Sequence, residues 1–395
     1  MSITIFLISA VFSKFFGTES ELLQSGTGIF SGRQRKTRKS TREGLRERRK
    51  ENEQKGGKNV AAKEGSSGMF EVRTDLAVEE QESFAGDGGE IRGVSLREWH
   101  HKDSHIRMTE VSILNEQGAK AMGKPMGTYL TLDVPEMMKK DEGYHEEISE
   151  EIARQLRLLI EKMCPEKKEK ASVLVVGLGN MQVTPDSLGP RVVENLRMTR
   201  HLAAEYGTEF CEKNHLPVLS GIVPGVMAQT GMETAEIVKG IVEETRPDLV
   251  LAIDALAARN VRRLASTIQL TDTGIHPGSG VGNHRHSLTR ESLGVPVMAI
   301  GIPTVTGAAA IVHGTVETLV KTLAMYESTA GYGDYIEELD PESQYELIRE
   351  LLEPEFGPMY VTPQDIDERV KRLSFTVSEG IHRALFEPGK STKNL

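Results

Sequence analysis

An α/β fold is what this sequence predicts: a twisted, mostly parallel sheet with helices on both faces. Three observations carry that prediction. Val173-Leu174-Val175-Val176 and residues 249–253 are short, continuous apolar runs, the pattern of strands buried on both faces. Each run delivers a carboxylate to its carboxyl end, Asp186 by way of a glycine turn and Asp254 directly. Helical patterns of period 3.6 alternate with such runs over residues 170–326, the expected α/β core.

The chain has 395 residues, a net charge of −10, and 38% hydrophobic and 27% charged residues. These values fit a globular protein of two or three domains' length with some solvated segments. Residues 33–50 hold ten Lys/Arg against Glu43 and Glu47, so the rest is more acidic than the total. An acidic body does not fit direct nucleic-acid binding. Only Cys164 and Cys211 occur, which argues for a reducing compartment and against a disulfide framework or a cysteine zinc site.

Residues 3–12 are apolar but far short of the roughly 20 needed to span a bilayer, and no positive n-region precedes them. The basic run and the polar stretch to Gly68 have nothing to bury, so residues 1–68 read as a disordered extension. Within it, the basic run reads as a solvated tail or a nucleic-acid arm. Lys63-Glu64-Gly65 can be encoded by AAG-GAG-GGN, a purine-rich ribosome-binding sequence, and Met69 follows. The expectation is therefore a start at Met69, with residues 1–68 spurious.

Residues 70–93 are acidic and polar around one compact patch, residues 72–78. Residues 90–98, 107–114 and 128–132 predict strands, an N-terminal β-rich addition. His100, His101 and His105 lie between the first two, where a polar hairpin loop or a metal cluster could sit. Ile148, Ile152, Leu156, Leu159 and Met163 mark one helix face, which Pro165 ends. After the 173–176 strand the periodicity predicts a helix from Ser187 through Leu202. Strands at 218–223, 249–253, 266–270 and 295–302 follow, with helices at 233–245 and 315–325. Residues 327–395 form a helical addition: a short helix near 343–352 and a longer one in 363–386. Val370, Leu373, Val377 and Ile381 give the longer helix a stripe that docks on the body.

Asp186 can be read as a helix cap or as a site carboxylate. Two strands ending in aspartates within one α/β domain favour a shared crevice. The turn is not G-x-G-x-x-G, because Met181, Gln182 and Val183 intervene, and no Gly-Lys-Ser/Thr marks a P-loop. The loop 274–283 carries four glycines, Gly280 among them, and so permits close backbone approach. Two carboxylates in one cleft could share a proton, titrate as a unit, and act as acid and base in turn. No His-Glu-x-x-His or nucleophile–His spacing competes.

Gly177-Leu178-Gly179-Asn180 with Thr184-Pro185-Asp186-Ser187-Leu188-Gly189-Pro190 resembles the germination protease family of endospore-forming bacteria. So do Ile222-Val223-Pro224-Gly225-Val226-Met227, Ala252-Ile253-Asp254-Ala255-Leu256-Ala257-Ala258-Arg259 and Ser279-Gly280-Val281-Gly282-Asn283. The likeness runs from about Val72 to the C-terminus.

It implies a cytoplasmic endopeptidase of the developing spore and spore core that begins degradation of small acid-soluble spore proteins at germination. It also implies a fold like the hydrogenase-maturation proteases, a homotetramer, no membrane association and no cofactor or metal. Asp186 and Asp254 match the family's catalytic aspartates. Gly177, Gly179, Asn180, Thr184, His276, Gly280 and Asn283 fall in the supporting loops.

A zymogen is implied whose propeptide, residues 69–75, is removed by self-cleavage between Asp75 and Leu76, leaving 76–395 as the protease domain. The family's preferred site is an acidic residue, a bulky apolar one, then alanine, and Asp75-Leu76-Ala77 supplies it. Val72 stands where an acidic residue is expected. The segment is polar, so it is expected to be exposed. Two alternatives keep the same fold: a metal-dependent protease with Asp186, Asp254 and His276 as ligands, and a non-catalytic module that binds small acid-soluble proteins.

Overall fold

A computed structural model describes residues 74–83, 91–100, 106–135, 142–167, 171–276, 286–324 and 341–387. The expectations for residues 1–68, for His101 and His105, and for Gly280 and Asn283 lie outside these residues.

Among the described residues the chain runs through α1 (Ala77–Ser83), β1 (Val94–His100), β2 (Arg107–Ile113), α2 (Glu116–Met122), β3 (Gly127–Asp133) and α3 (Glu142–Met163). Next come β4 (Val173–Gly177), a 3-10 turn (Thr184–Asp186), α4 (Leu188–Asn195), α5 (Arg200–Tyr206), α6 (Thr208–Lys213) and β5 (Leu219–Ile222). Then follow α7 (Met227–Thr230), α8 (Thr234–Thr245), β6 (Leu249–Ala258), β7 (Thr267–Thr271), α9 (Arg290–Leu293) and β8 (Val297–Gly307). The chain closes with α10 (Ala308–Ala324), α11 (Pro341–Phe356), β9 (Tyr360–Val361) and α12 (Ile366–Phe386).

One sheet of order β1-β2-β3-β7-β8-β6-β4-β5 results, with β9 pairing β8. The architecture is α/β, as expected, and the parallel character is concentrated on one side. There β5, β4, β6 and β8 run parallel, while β7 turns antiparallel and carries β3, β2 and β1 onto the same sheet. The β-rich addition is therefore continuous with the core sheet.

Alternation along the central strands sorts their side chains between two cores. Val173, Val175, Leu251, Ile253, Met298 and Ile300 meet α3, α4 and α12 on one face. Leu174, Val176, Val250, Ala252, Val297 and Ala299 meet Leu76 and α8 on the other. The C-terminal stripe docks as expected: Val370, Leu373, Val377 and Ile381 are each wholly buried. At the α3–α12 crossing a Cβ on Gly380 would lie 2.7 Å from Ile152 Cγ2, so only glycine lets the helices approach this closely.

Three expectations are corrected. The 187–202 helix is broken after Asn195, because Thr199 N–H donates to Leu219 O (2.9 Å) and Thr199 Oγ1 accepts from Leu219 N (3.0 Å). Pairing with β5 draws those residues out of the helix. The second carboxylate-bearing strand does not end at Ile253: β6 continues to Ala258, so Asp254 lies within it. Small residues there pair with β8 on one side, where pairing and burial outweigh weak strand propensity. Finally, the 75–76 segment is not exposed. Leu76 is 0% accessible and α1 lies on the sheet.

Candidate active site

The first aspartate is positioned by glycines. Gly179 has φ +111°, and a Cβ on it would stand 2.0 Å from Asp186 O; a Cβ on Gly177 would stand 2.4 Å from Gly189 O. Gly189 in turn leaves room for Ile253 O, and Leu178 N–H donates to that carbonyl at 2.8 Å. The turn after β4 is thus pressed onto β6, and the Thr184–Asp186 turn packs against β6 and β8. Asp186 Oδ2 accepts from Asn180 N–H at 2.8 Å, and Asn180 Oδ1 accepts from Gln182 N and Gln229 Nε2, both at 3.0 Å. Thr184 O receives the Ser187 hydroxyl at 2.8 Å, closing the turn into α4.

Asp254 is 6% accessible, and its Oδ1 accepts its neighbour's amide, Ala255 N–H, at 2.9 Å. It heads a lateral row across the sheet, Asp254–Gly301–Gln269–Thr131–Thr109, whose members share one face. Both candidate aspartates therefore sit where the parallel strands and the glycine turn meet.

A second cluster surrounds the Asp75–Leu76 bond. Asp75 N–H donates to Ala257 O (3.0 Å), and Asp75 Oδ2 accepts from Ala257 N (2.8 Å). The Asp75 carbonyl accepts from Lys124 Nζ at 3.1 Å and Gln269 Nε2 at 3.3 Å, while Gln269 Oε1 accepts from Ala77 N at 2.8 Å. Ala257 is three residues past Asp254, about 10 Å along the strand. Just beyond, Glu79 is 1% accessible and takes Arg259 N–H (2.7 Å) and Asn260 N–H (2.9 Å). Arg263 binds Glu82 (2.7 Å) and Asp133 (3.0 Å).

His276 belongs to this second cluster. The residue is exposed, yet its pKa is pushed down, first by desolvation of the ring and then by the Lys124 charge, with Asp75 opposing. Among the described residues no three His, Cys, Asp or Glu side chains converge as metal ligands, so Asp186, Asp254 and His276 do not form the triad of the metal alternative. The backbone amides of Leu178 and Asn180 are already committed to Ile253 O and Asp186.

Sequence reasoning missed Lys124, Gln269, Thr74 and Glu79. Gln269 was legible only as one of three polar residues in the alternating strand Thr267–Thr271, and the others carry no local signal.

An open α/β protein with one carboxylate in a glycine turn after β4, a second within the neighbouring strand β6, and residues 74–76 fastened to that same strand is the class this geometry defines. The germination protease family model matches residues 70–331. A germination protease of Caldanaerobacter subterraneus subsp. tengcongensis is 46% identical over 325 residues, covering 82% of this chain and 97% of that protein. The germination protease of Priestia megaterium is 38% identical (82% and 96% covered), and that of Bacillus subtilis is 38% identical (81% and 94%). The chain belongs to the germination protease family: it is a peptidase of spore germination. No helix among its described residues is long and apolar enough to cross a membrane.

Proposed function

We propose that the chain is an aspartic-type endopeptidase, made as a self-processing zymogen, that opens degradation of small acid-soluble spore proteins in the spore core and works as a homotetramer. The observation that carries the reading is the convergence of the Asp186 turn on β6, the strand that holds Asp254. Two carboxylates confined there cannot both ionise cheaply, so one proton is shared. The ionised partner removes a proton from the attacking water while the protonated one polarises the substrate carbonyl; the roles reverse as the amine departs.

Self-processing falls at Asp75–Leu76. In the uncut chain this bond is fastened by Ala257, Lys124, Gln269 and the buried Leu76. That hold supports the reading of an inactive precursor: residues 74–76 lift before the bond can be cut.

The test is cleavage of a small acid-soluble protein by Asp186→Asn, Asp254→Asn and His276→Ala proteins, each checked for folding, with and without EDTA. Each asparagine variant should lose on the order of 10³-fold or more, since acid–base action and water positioning fail together. His276→Ala should lose far less. Near-normal activity in either asparagine variant overturns the dyad. EDTA-sensitive activity with an inactive His276→Ala favours the metal alternative.

A further inference from the structure

We propose that Glu79 is a built acceptor for a new α-ammonium: once the Asp75–Leu76 bond is cut, the Leu76 amine takes the place that the Thr74 hydroxyl holds in the uncut chain. The inference rests on the self-processing reading above.

Thr74 Oγ1 donates to Glu79 Oε2 and at the same time accepts from Leu76 N–H at 3.1 Å. One hydroxyl therefore bridges a buried carboxylate and the very amide nitrogen that hydrolysis would free. In hydrolysis, water adds across the peptide bond and the C–N bond breaks. The hydroxyl stays on the Asp75 carbonyl carbon, one proton of the water goes to the Leu76 nitrogen, and ionisation of the new Asp75 carboxyl group supplies the second. Thr74 departs with the propeptide, so Glu79 loses one donor and a hydroxyethyl-sized space opens beside it. The Leu76 nitrogen, formerly a neutral donor of one hydrogen, becomes a cation with three and an ordinary pKa of about 8.

The new terminus stays in place, because its anchors lie downstream of the cut. The Leu76 side chain is fully buried among Leu256, Leu288 and the α8 valines, and Ala77 N–H is held by Gln269. Glu79 keeps the amides of Arg259 and Asn260, which fix its carboxylate where it is. The charged groups facing it are Arg259 and Arg263 from the β6–β7 connection, with Glu82 on α1 and Asp133 on β3 paired to Arg263. An ammonium–carboxylate bond, charged on both sides, replaces one in which only the acceptor carries charge. The cut chain thus gains a contact that the uncut chain cannot make, and cleavage locks α1 down.

The experiment lets the full chain process itself, reads the N-terminus, and measures acylation of the terminal amine against pH by mass analysis. The peptide Leu-Ala-Val-Glu and the processed Glu79→Gln protein serve as references. The profile should place the Leu76 amine pKa above that of the peptide by about one unit, a roughly fivefold slower reaction near pH 8 that approaches tenfold at lower pH. Glu79→Gln should abolish the upward shift. Burial without a partner would instead move the amine pKa down. A pKa at or below the peptide's overturns the lock, and that comparison needs no variant if Glu79→Gln does not fold. A terminus other than Leu76 overturns the cleavage reading and the lock with it; Leu76 with an unshifted amine overturns the lock alone.

Discussion

Asp75 and Ala257 exchange a pair of hydrogen bonds, Asp75 N–H to Ala257 O at 3.0 Å and Ala257 N–H to Asp75 Oδ2 at 2.8 Å. The residue before the proposed cut is thereby fastened to the strand that carries Asp254. Asp75→Asn keeps an oxygen acceptor and removes the charge. The variant should fold normally and cut itself on the order of tenfold more slowly, because a site built around a polar group rejects its loss. Timed N-terminal sequencing checks this; an unchanged rate shows that the acid is not read.

Lys124 holds the Asp75 carbonyl with a charge-assisted bond, of a kind that contributes about 1.5–3 kcal/mol. If lifting of residues 74–76 limits self-cleavage, Lys124→Met should speed it by about tenfold, the factor that some 1.4 kcal/mol provides. A slower cut in Lys124→Met would mean that the lysine assists the chemistry rather than restraining the segment.

Leu76→Ala removes a fully buried side chain from a well-packed core. The expected cost is about 2–4 kcal/mol. Thermal melting of the uncut chain in an Asp254→Asn background should show a drop of several degrees. A shift within a degree would mean that the segment is not docked in solution.

Gly179→Ala acts on the other carboxylate. Its Cβ would meet Asp186 O at 2.0 Å, and φ +111° disfavours any L side chain. The turn must move and Asp186 with it, so activity should fall by about 10²-fold, the scale of a 1 Å misplacement. Circular dichroism should stay unchanged. Full activity in the alanine variant would separate Asp186 from the chemistry.

His276 titrates below its ordinary value of 6.5, because desolvation and Lys124 disfavour its charged form. A depressed folded pKa contributes stability that is present above pH 6.5 and lost as pH falls through the folded value. His276→Ala should therefore melt with less loss between pH 7 and pH 5 than the unmodified chain. An NMR midpoint for His276 at or above 6.5 would refute the assignment.

The strands and helices that were legible are those whose pattern repeats one environment. Val173–Val176 and residues 249–253 read as buried strands because each side of the sheet is covered, and Val370, Leu373, Val377 and Ile381 read as a docking stripe because they recur every helical turn. The extension of β6 through Ala255–Ala258 was not legible, since small residues join a strand only when neighbours pair with them. Nor was α1, a seven-residue acidic segment that owes its place to the buried Leu76 just before it and to Glu79 within it.

By itself, the sequence determined the α/β class and the family, and it singled out Asp186 and Asp254 as candidates, because apolar runs, glycine turns and block motifs are local properties of the chain. Only the tertiary structure decided that Asp75–Leu76 is clamped rather than exposed, that Lys124 and Asp75 are the charges acting on His276, and that Thr74 bridges Leu76 to Glu79. These are contacts between residues up to 194 positions apart, as between Asp75 and Gln269. The physical reason is that a polar segment is exposed only when nothing pairs with it, and the partners that bury this one come from β6, β7 and the turn before β3.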